Sequence, residues 1–262
     1  VSIASYDDFH YRQIVKCIKS NKHIIVEKPM CLTVEHLKKI NKLLKKNPNI
    51  KMTSNLVLRV NTLFKEFKKK ISKKDIFYIE ADYIWGRKHK LYGWRSNIDK
   101  YSIISGAAIH MIDLCNWMLG LKPISVFTLG NKKATINTKF KKESLVVMLI
   151  KYPNQIIIKV TANAAGIYQH FHELKIFSHN KTLVNSRLGA FEHSQKSFKK
   201  VLLFCKERNN PIYEKIVTSW KENYPELYVV NALANRSMYN VTRENLSENV
   251  VFCDKIKNDN FH

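Results

Sequence analysis

The segment His23-Ile24-Ile25-Val26-Glu27-Lys28-Pro29 carries most of the information about the fold. Its compact apolar run is typical of a buried parallel strand, and the run ends in charged side chains and a proline. A short apolar strand, Val1–Ser5, precedes it, and helical spacing of Ile14, Val15 and Ile18 predicts a helix between the two strands. This order predicts a parallel sheet covered by helices.

The pattern continues for another helix and strand. Thr33 can cap a helix that bears an apolar stripe over residues 34–44, and residues 51–54 can form a third strand. The predicted order of elements over residues 1–54 is therefore β-α-β-α-β. Because a doubly wound domain binds its ligand at the carboxyl ends of parallel strands, we expect one crevice to be lined by the residues that follow the three strands. These are Ser5, Tyr6, Asp7, Glu27, Lys28, Pro29 and Asn55.

The phosphate-binding half of such a domain is missing from these residues. No G-x-G-x-x-G string occurs among the seven glycines. Two further βα units of about 30 residues each would be needed ahead of Val1 to complete a dinucleotide-binding domain. We therefore expect residues 1–54 to be the C-terminal half of a Rossmann-like domain whose N-terminal part is truncated.

A second domain is predicted over residues 55–252, with a frayed tail at 253–262. It should be an α+β domain with an open, mostly antiparallel sheet, since several segments alternate with period two. Predicted helices cover residues 63–71, 106–119 (ended by Gly120) and 227–239. Predicted strands cover residues 76–85, 124–129, 145–151, 156–162, 173–177, 182–184 and 250–252.

The composition is strongly basic, with 45 Lys+Arg against 21 Asp+Glu and a formal net charge of +24 in 262 residues. The lysines are spread over most polar faces, which favours a solvated surface over a nucleic-acid site with one basic patch. No signal peptide is recognisable at Val1–His10, and no apolar run approaches the ~20 residues of a membrane span. A soluble cytoplasmic protein without a membrane partner is the expectation.

Cysteine and histidine spacing does not predict a metal site. The five cysteines are scattered without a C-x-x-C pair, as expected for reduced thiols. His170 and His172 have strand spacing that would place both imidazoles on one side of a sheet, like two metal ligands. No third ligand at suitable spacing is evident, so we expect no bound metal.

Lys28 and His110 are the strongest candidates for chemistry. An ammonium at the end of a buried strand is partly desolvated beside a ligand, which lowers its pKa and lets it bind a reacting hydroxyl, unless it is simply a surface lysine. His110 lies on an apolar helix, where a histidine is often only a core residue, but Asp113 shares its face and could orient the imidazole or bind substrate. An imidazole with a nearly neutral pKa could accept a hydroxyl proton.

At three places the sequence resembles the Gfo/Idh/MocA oxidoreductases, named for glucose-fructose oxidoreductase, inositol dehydrogenase and a rhizopine-catabolism protein. The first is the strand and helix from Ser5 to the Glu27-Lys28-Pro29 signature, and the second is Asn55-Leu56-Val57-Leu58-Arg59, similar to the family's N-x-x-x-R linker. The third is Gly106-Ala107-Ala108-Ile109-His110-Met111-Ile112-Asp113, which resembles its G-G-G-I-H-x-I-D helix.

The resemblance implies a nicotinamide-dependent oxidoreductase that uses NAD or NADP. It places Lys28 at the substrate hydroxyl and the cofactor, and Glu27 near the nicotinamide ribose. The family often has an acidic residue four positions before the histidine, and this chain has Gly106 there, which leaves Lys28 a larger share of the chemistry.

Further candidates complete the predicted site. Gly93-Trp94-Arg95 also resembles the family, and Arg95 could bind a phosphate or carboxylate in bidentate fashion, or could merely stack on tryptophan. The predicted cofactor contacts are Ser5, Tyr6, Asp7, His10, Glu27, Lys28, Pro29, Asn55, Trp94 and Arg95. The predicted substrate contacts are Lys28, Arg59, Arg95, Tyr101, His110 and Asp113.

These observations leave two hypotheses. The first is an enzyme that oxidises a hydroxyl of a sugar, a sugar derivative or a nucleotide sugar, or runs the reverse reaction, in surface polysaccharide synthesis. The second is a non-catalytic truncated homologue that binds a ligand or assembles with itself. In either case, apolar alternation over residues 146–150 predicts a homodimer or homotetramer formed through the open sheet.

Overall fold

The fold is described from a computed structural model, which covers residues 1–194 and 197–204. The predicted helix at 227–239, the predicted strand at 250–252 and the predicted tail at 253–262 lie outside these residues. Within them the secondary structure comprises five α-helices, eleven strands and four short 3-10 or π-helical turns.

The first part is a small parallel sheet with a helix in each crossover. Its elements are β1 (Ser2–Ile3), α1 (His10–Lys19), β2 (Ile24–Val26), α2 (Val34–Lys46) and β3 (Met52–Ser54). The strands pair in the order β1-β2-β3 and all run parallel, so the predicted β-α-β-α-β order is confirmed. Thr33 caps α2 as predicted, because its hydroxyl accepts a hydrogen bond from the His36 backbone N–H at 3.2 Å.

The second part contains an eight-stranded mixed sheet. Its strands are β4 (Ile76–Ile84), β5 (Ser125–Asn131), β6 (Leu145–Lys151), β7 (Ile157–Asn163), β8 (Phe171–Ser178), β9 (Lys181–Ser186), β10 (Gly189–Ser194) and β11 (Ser197–Phe204). They lie in the order β11-β10-β9-β8-β4-β7-β6-β5. Among the described strand pairs of this sheet, only β4–β7 is parallel, which confirms the mostly antiparallel sheet.

Helices cover one face of this sheet. They are α3 (Thr62–Lys70), the short α4 (Trp94–Asn97) and α5 (Ile109–Leu119). The last of these buries Met111, Leu114 and Met118 completely and ends at Gly120, whose φ of 64° is the left-handed conformation of a helix stop. The helix predicted at 106–119 therefore exists, but a π-helical turn, Ile104–Ala108, precedes its α-helical part.

Two strands, β10 and β11, are absent from the sequence prediction. The sequence of β10 begins with glycine and contains no β-branched residue, so its local signal is weak. Its backbone instead pairs on both sides, with β9 and with β11. Non-local hydrogen bonding, rather than local propensity, therefore produces this strand.

Among residues 1–194 and 197–204, no helix covers the other face of the large sheet. Phe127, Leu129 and Leu149 are 61%, 64% and 46% exposed and lie on this face near the β5 edge. Towards the centre the surface becomes charged, with ion pairs between Lys159 and Asp82 at 3.2 Å and between Lys175 and Glu80 at 3.1 Å. The alternation predicted for β6 is present, since Val146, Met148 and Ile150 are buried on the opposite face.

Among the described helices, none combines the length and the apolar character that crossing a bilayer requires.

Candidate active site

The carboxyl ends of the three parallel strands form one edge of the candidate site. Asn55, which follows β3, donates a hydrogen bond of 2.6 Å from Nδ2 to Glu27 Oε1, which follows β2. Backbone pairing holds the same loops, because the Glu27 N–H donates to the Ile3 carbonyl at 2.9 Å. The strand-end residues expected to share a crevice are therefore brought together.

The His10 side chain links two of these strand-end loops by hydrogen bonds. Its ring is fully buried, with Nδ1 2.8 Å from the carbonyl oxygen of Pro29 and Nε2 3.0 Å from that of Ser5. Both nitrogens are therefore occupied by backbone groups, so His10 presents no ring atom to a cofactor. Its place in the fold is that of a support for the loop that carries Lys28.

Lys28 connects the small sheet to the helical layer of the second part. Its Nζ donates a hydrogen bond of 2.7 Å to the carbonyl oxygen of Gly106. Burial lowers the pKa of Lys28 and Arg95 acts in the same direction, whereas Asp7 and Glu27 oppose the shift. As the strand position predicts, Lys28 is a desolvated ammonium group rather than a surface lysine.

Asp7 is the acidic group that raises the pKa of Lys28 most. It is 8% exposed, and burial raises the pKa of its carboxyl, while Lys28, His10 and Arg95 pull that pKa down. The carboxylate thus sits among three basic side chains. Acidic and basic side chains therefore alternate at this end of the site, since Asp8 and Glu27 also act on these groups.

His110 faces the site from α5, and its electrostatics differ from the prediction. Burial, reinforced by Lys28 and His170, lowers the pKa of His110 to about 4, so the expected nearly neutral pKa is wrong. The physical reason is enclosure, since the residue is 7% exposed and stacks on Tyr83 with ring centroids 5.7 Å apart. Its Nδ1 is buried without a hydrogen-bond partner within the described ranges.

Asp113 does not orient this imidazole. Its carboxylate instead forms a two-pronged ion pair with Arg59, in which Arg59 Nε donates to Oδ2 at 2.7 Å and Nη2 contacts Oδ1. The helix spacing predicted a shared face for Asp113 and His110, but a partner 54 positions earlier takes the carboxylate. Two predicted substrate contacts therefore bind each other and tie the segment after β3 to α5.

Arg95 adopts the stacked arrangement that was the alternative to anion binding. Its guanidinium carbon lies 4.1 Å from the centroid of the Trp94 ring and 5.1 Å from that of Trp85. Trp94 in turn stacks on the exposed ring of Tyr6 with centroids 4.9 Å apart, so aromatic contact joins the β1 loop to α4. Tyr101 lies behind Trp94 and is 2% exposed, so it does not face open solvent.

His172 of β8 and His170, which precedes this strand, lie beside Tyr83 on the side of the sheet that meets α5. His170 and His172 lie 5.2 Å and 4.7 Å from the Tyr83 centroid and 4.9 Å from each other. Both imidazoles thus share one side, as their spacing predicts. No group of three metal-ligating side chains that could hold an ion is found in residues 1–194 and 197–204.

Sequence reasoning missed Tyr83 and the acceptor role of Gly106. Period-two alternation in β4 places Tyr83 on the buried face with Ile79 and Ala81. From the sequence alone its ring is therefore expected to be part of the hydrophobic core. Only the pairing of β4 with β8 brings it beside His172, its partner in the register. The signal for both residues is therefore tertiary.

Comparison with known proteins places the chain among oxidoreductases. Residues 1–55 match the oxidoreductase family of NAD-binding Rossmann fold, and residues 68–243 match the C-terminal α/β domain of the same oxidoreductase family. These matches confirm the predicted family and the predicted type of cofactor-binding fold. A search of the curated proteins finds no significant match.

Solved structures share the fold at low sequence identity. An inositol dehydrogenase homologue from Azotobacter vinelandii complexed with NAD+ has a TM-score of 0.70 and 15% identity, covering 80% of this chain and 58% of its own. For UDP-N-acetylglucosamine 3-dehydrogenase from Acidithiobacillus ferrooxidans the TM-score is 0.62, with 16% identity and coverage of 75% and 60%. For myo-inositol 2-dehydrogenase from Lactobacillus plantarum the TM-score is 0.63, with 20% identity and coverage of 75% and 63%. The chain thus spans less than two thirds of the length of these proteins.

Proposed function

Since this chain belongs to the Gfo/Idh/MocA family of oxidoreductases, we propose that it acts in the NAD- or NADP-dependent oxidation of a sugar-ring hydroxyl to a ketone, or in the reverse reduction. The observation that carries the proposal is the 2.7 Å hydrogen bond from Lys28 Nζ to Gly106, which brings the desolvated lysine to the helix start that carries His110. In this proposal Lys28 and His110, which come from two separate parts of the fold, transfer the proton of the reaction.

The strand-end residues suit the nicotinamide end of a dinucleotide. The Glu27–Asn55 pair, the exposed Tyr6 ring and the Lys28 ammonium lie at the edge where parallel sheets bind ligands. When bound, the nicotinamide ring supplies hydride acceptance or donation. The residues named would hold the nicotinamide end of the dinucleotide.

Lys28 and His110 divide the proton chemistry in this proposal. Lys28 binds the reacting oxygen, because an ammonium with a lowered pKa is a strong donor that can also release its proton. His110 accepts the hydroxyl proton on its imidazole ring, which is uncharged at neutral pH because its pKa is about 4. That low pKa makes His110 a weak base, so in the oxidation Lys28 also accepts the hydroxyl proton when it is in its uncharged amine form, which the lowered pKa makes more accessible.

The remaining residues are proposed to position rather than react. Ser5, Asp7, Pro29 and Trp94 would line the cofactor side, with His10 beneath them. Arg95 would reach an anionic group of the substrate only after leaving the Trp94 ring, where it stacks at 4.1 Å. Arg59 and Asp113 are proposed to border the substrate space as an ion pair.

For the substrate we propose a sugar, sugar derivative or nucleotide sugar, used in surface polysaccharide synthesis. The Lys28 and Arg95 cations near Asp7 support a substrate with negative charge, such as a nucleotide diphosphate. We further propose a division into a cofactor domain at 1–54 and a substrate and assembly domain at 55–252. A cytoplasmic site of action completes the proposal, supported by Cys17, Cys31 and Cys115, which are free thiols.

Assembly through the open sheet is also part of the proposal. Its support is the exposed apolar edge formed by Phe127, Leu129 and Leu149 on an otherwise well-packed sheet. A homodimer or homotetramer would cover this surface. The alternative function is ligand binding without catalysis.

The test is titration of the protein with NADH and NADPH, followed by turnover assays with the oxidised forms and sugar substrates. Lys28→Ala should abolish turnover, whereas Lys39→Ala, which removes an exposed lysine on α2, should not change it. Dinucleotide binding with lysine-dependent turnover supports the enzyme. Binding of a sugar ligand without any turnover supports the non-catalytic alternative, and no binding of either dinucleotide contradicts the proposed enzyme.

A further inference from the structure

Tyr101 is almost completely enclosed, yet its hydroxyl group is poorly satisfied. The side chain is 2% exposed, and the hydroxyl oxygen is buried without a hydrogen bond of normal geometry in the part of the chain that the structure describes, although the Arg95 guanidinium interacts with it. A buried hydroxyl without a partner is unfavourable for folding. The presence of tyrosine rather than phenylalanine at position 101 therefore indicates a functional role for the hydroxyl group.

The neighbouring rings fix the direction of this hydroxyl. Trp94 and Phe140 meet the Tyr101 ring edge-on, with centroids 5.9 Å and 6.1 Å away. A Cβ atom at Gly106 would lie only 2.1 Å from the hydroxyl oxygen and 2.6 Å from the ring carbon that bears it. The hydroxyl therefore occupies the space that a side chain at position 106 would need.

Gly106 also contacts Lys28, through its carbonyl oxygen. The phenol and the ammonium thus approach the same residue, four positions before His110. Burial raises the pKa of Tyr101, Arg95 opposes this effect through its charge and its contact with the hydroxyl group, and Asp7 adds to it. Tyr101 is therefore a neutral phenol at pH 7, with a hydrogen atom to donate.

We propose that Tyr101 is a substrate-binding residue of the active site, whose hydroxyl group donates a hydrogen bond to the reacting oxygen of the bound sugar. The inference rests on the proposed function and adds a neutral donor to the two basic groups. Trp94 and Arg95 of α4 lie over the Tyr101 ring, so the substrate reaches the hydroxyl by displacing part of this cover. Such hydrogen bonds often form only in the substrate complex, and they stabilise negative charge that develops on the oxygen.

A matched pair of substitutions tests whether the hydroxyl is unpartnered in the free protein. Tyr152 is equally buried, but its hydroxyl donates to Asn116 Oδ1. We expect Tyr152→Phe to lower the Tm by about 2–6 °C, because it removes a buried hydrogen bond. Tyr101→Phe should leave the Tm unchanged or raise it. A Tm loss as large as that of Tyr152→Phe would overturn the proposal, since the hydroxyl would then have a partner within the chain.

Kinetics test the role in the complex. The full protein is assayed with NAD+ and NADP+, using myo-inositol and UDP-N-acetylglucosamine as probes. Tyr101→Phe should lower kcat at least ~10-fold and change KM less than about threefold, as expected for a donor that acts in the transition state. Tyr152→Phe should leave both constants unchanged.

The outcomes separate the inference from the proposed function. An active wild type with an equally active Tyr101→Phe variant contradicts the inference alone. A wild type that binds neither dinucleotide and turns over neither probe contradicts the proposed function, and the role of Tyr101 fails with it. Loss of kcat with an unchanged Tm in the Tyr101→Phe variant supports the proposal.

Discussion

Lys28 donates a hydrogen bond from Nζ to the carbonyl oxygen of Gly106 at 2.7 Å, across 78 positions of the sequence. The contact joins the end of β2 to the π-helical turn before α5. The turn thereby holds the Lys28 ammonium group in place, and the lysine holds the turn. Changes at Gly106 should therefore affect both stability and the placement of the lysine.

Gly106→Ala should destabilise the protein. A Cβ atom there would lie 2.1 Å from the Tyr101 hydroxyl and 2.6 Å from its ring, so the tyrosine must shift within a packed core. Overpacking of this kind costs about 1–3 kcal/mol of unfolding free energy, which denaturant titration measures. Gly93→Ala is the control, since a Cβ at Gly93 meets nothing within 4 Å. Equal stability of the two variants would refute the close contact.

Acid should weaken the fold through His110. The unfolded state has the ordinary histidine pKa of 6.5 and the folded state a pKa of about 4, so the unfolded chain binds more protons between these values. The free energy of unfolding should therefore fall as the pH drops from about 6.5 to 4, with His110 contributing at most ~3 kcal/mol.

Denaturant titrations at pH 7 and pH 4.5 check this contribution. His110→Gln should reduce the stability difference between the two pH values, because it removes the titrating group. His89→Gln, at an exposed histidine, should leave the difference as it is in the wild type. A wild-type slope retained by His110→Gln would show that the imidazole is not buried uncharged.

Arg59 and Asp113 should behave as a coupled pair in unfolding experiments. The Asp113 side chain is 12% exposed and that of Arg59 is 44% exposed, so the pair is only partly screened by water. A double-mutant cycle with Arg59→Gln and Asp113→Asn should give a coupling of about 1 kcal/mol. Strict additivity of the two single changes would contradict the ion pair.

Substitutions on the β5 edge should change the size of the assembly. Light scattering should give a wild-type mass above the 30.7 kDa of one chain. Phe127→Lys with Leu129→Lys should shift the protein towards monomer, because lysines on an apolar interface are costly to desolvate. Val34→Lys, at an exposed apolar residue on α2, is the control. A wild type found only as monomer would exclude assembly through this sheet.

The local sequence pattern was sufficient to predict most helices and strands, but it was insufficient to predict the contacts within the candidate site. The apolar run at Ile24–Val26 and the Thr33 cap act within a few residues, and both are as predicted. The ion pair of Asp113 with Arg59 depends on tertiary contact, as does the burial that lowers the pKa of His110. Neither follows from spacing along a helix, because each is produced by residues far away in the chain.

The β5 strand also has a consequence for the handling of the protein. Every residue of this edge strand is exposed, and none of the described strands pairs with its outer backbone groups, which resemble the sheet edges that lead to aggregation. A formal net charge of +24 opposes such contacts by mutual repulsion. Ionic strength therefore controls colloidal behaviour, and concentrated salt, with a Debye length of about 3 Å at 1 M, removes the repulsion and favours association.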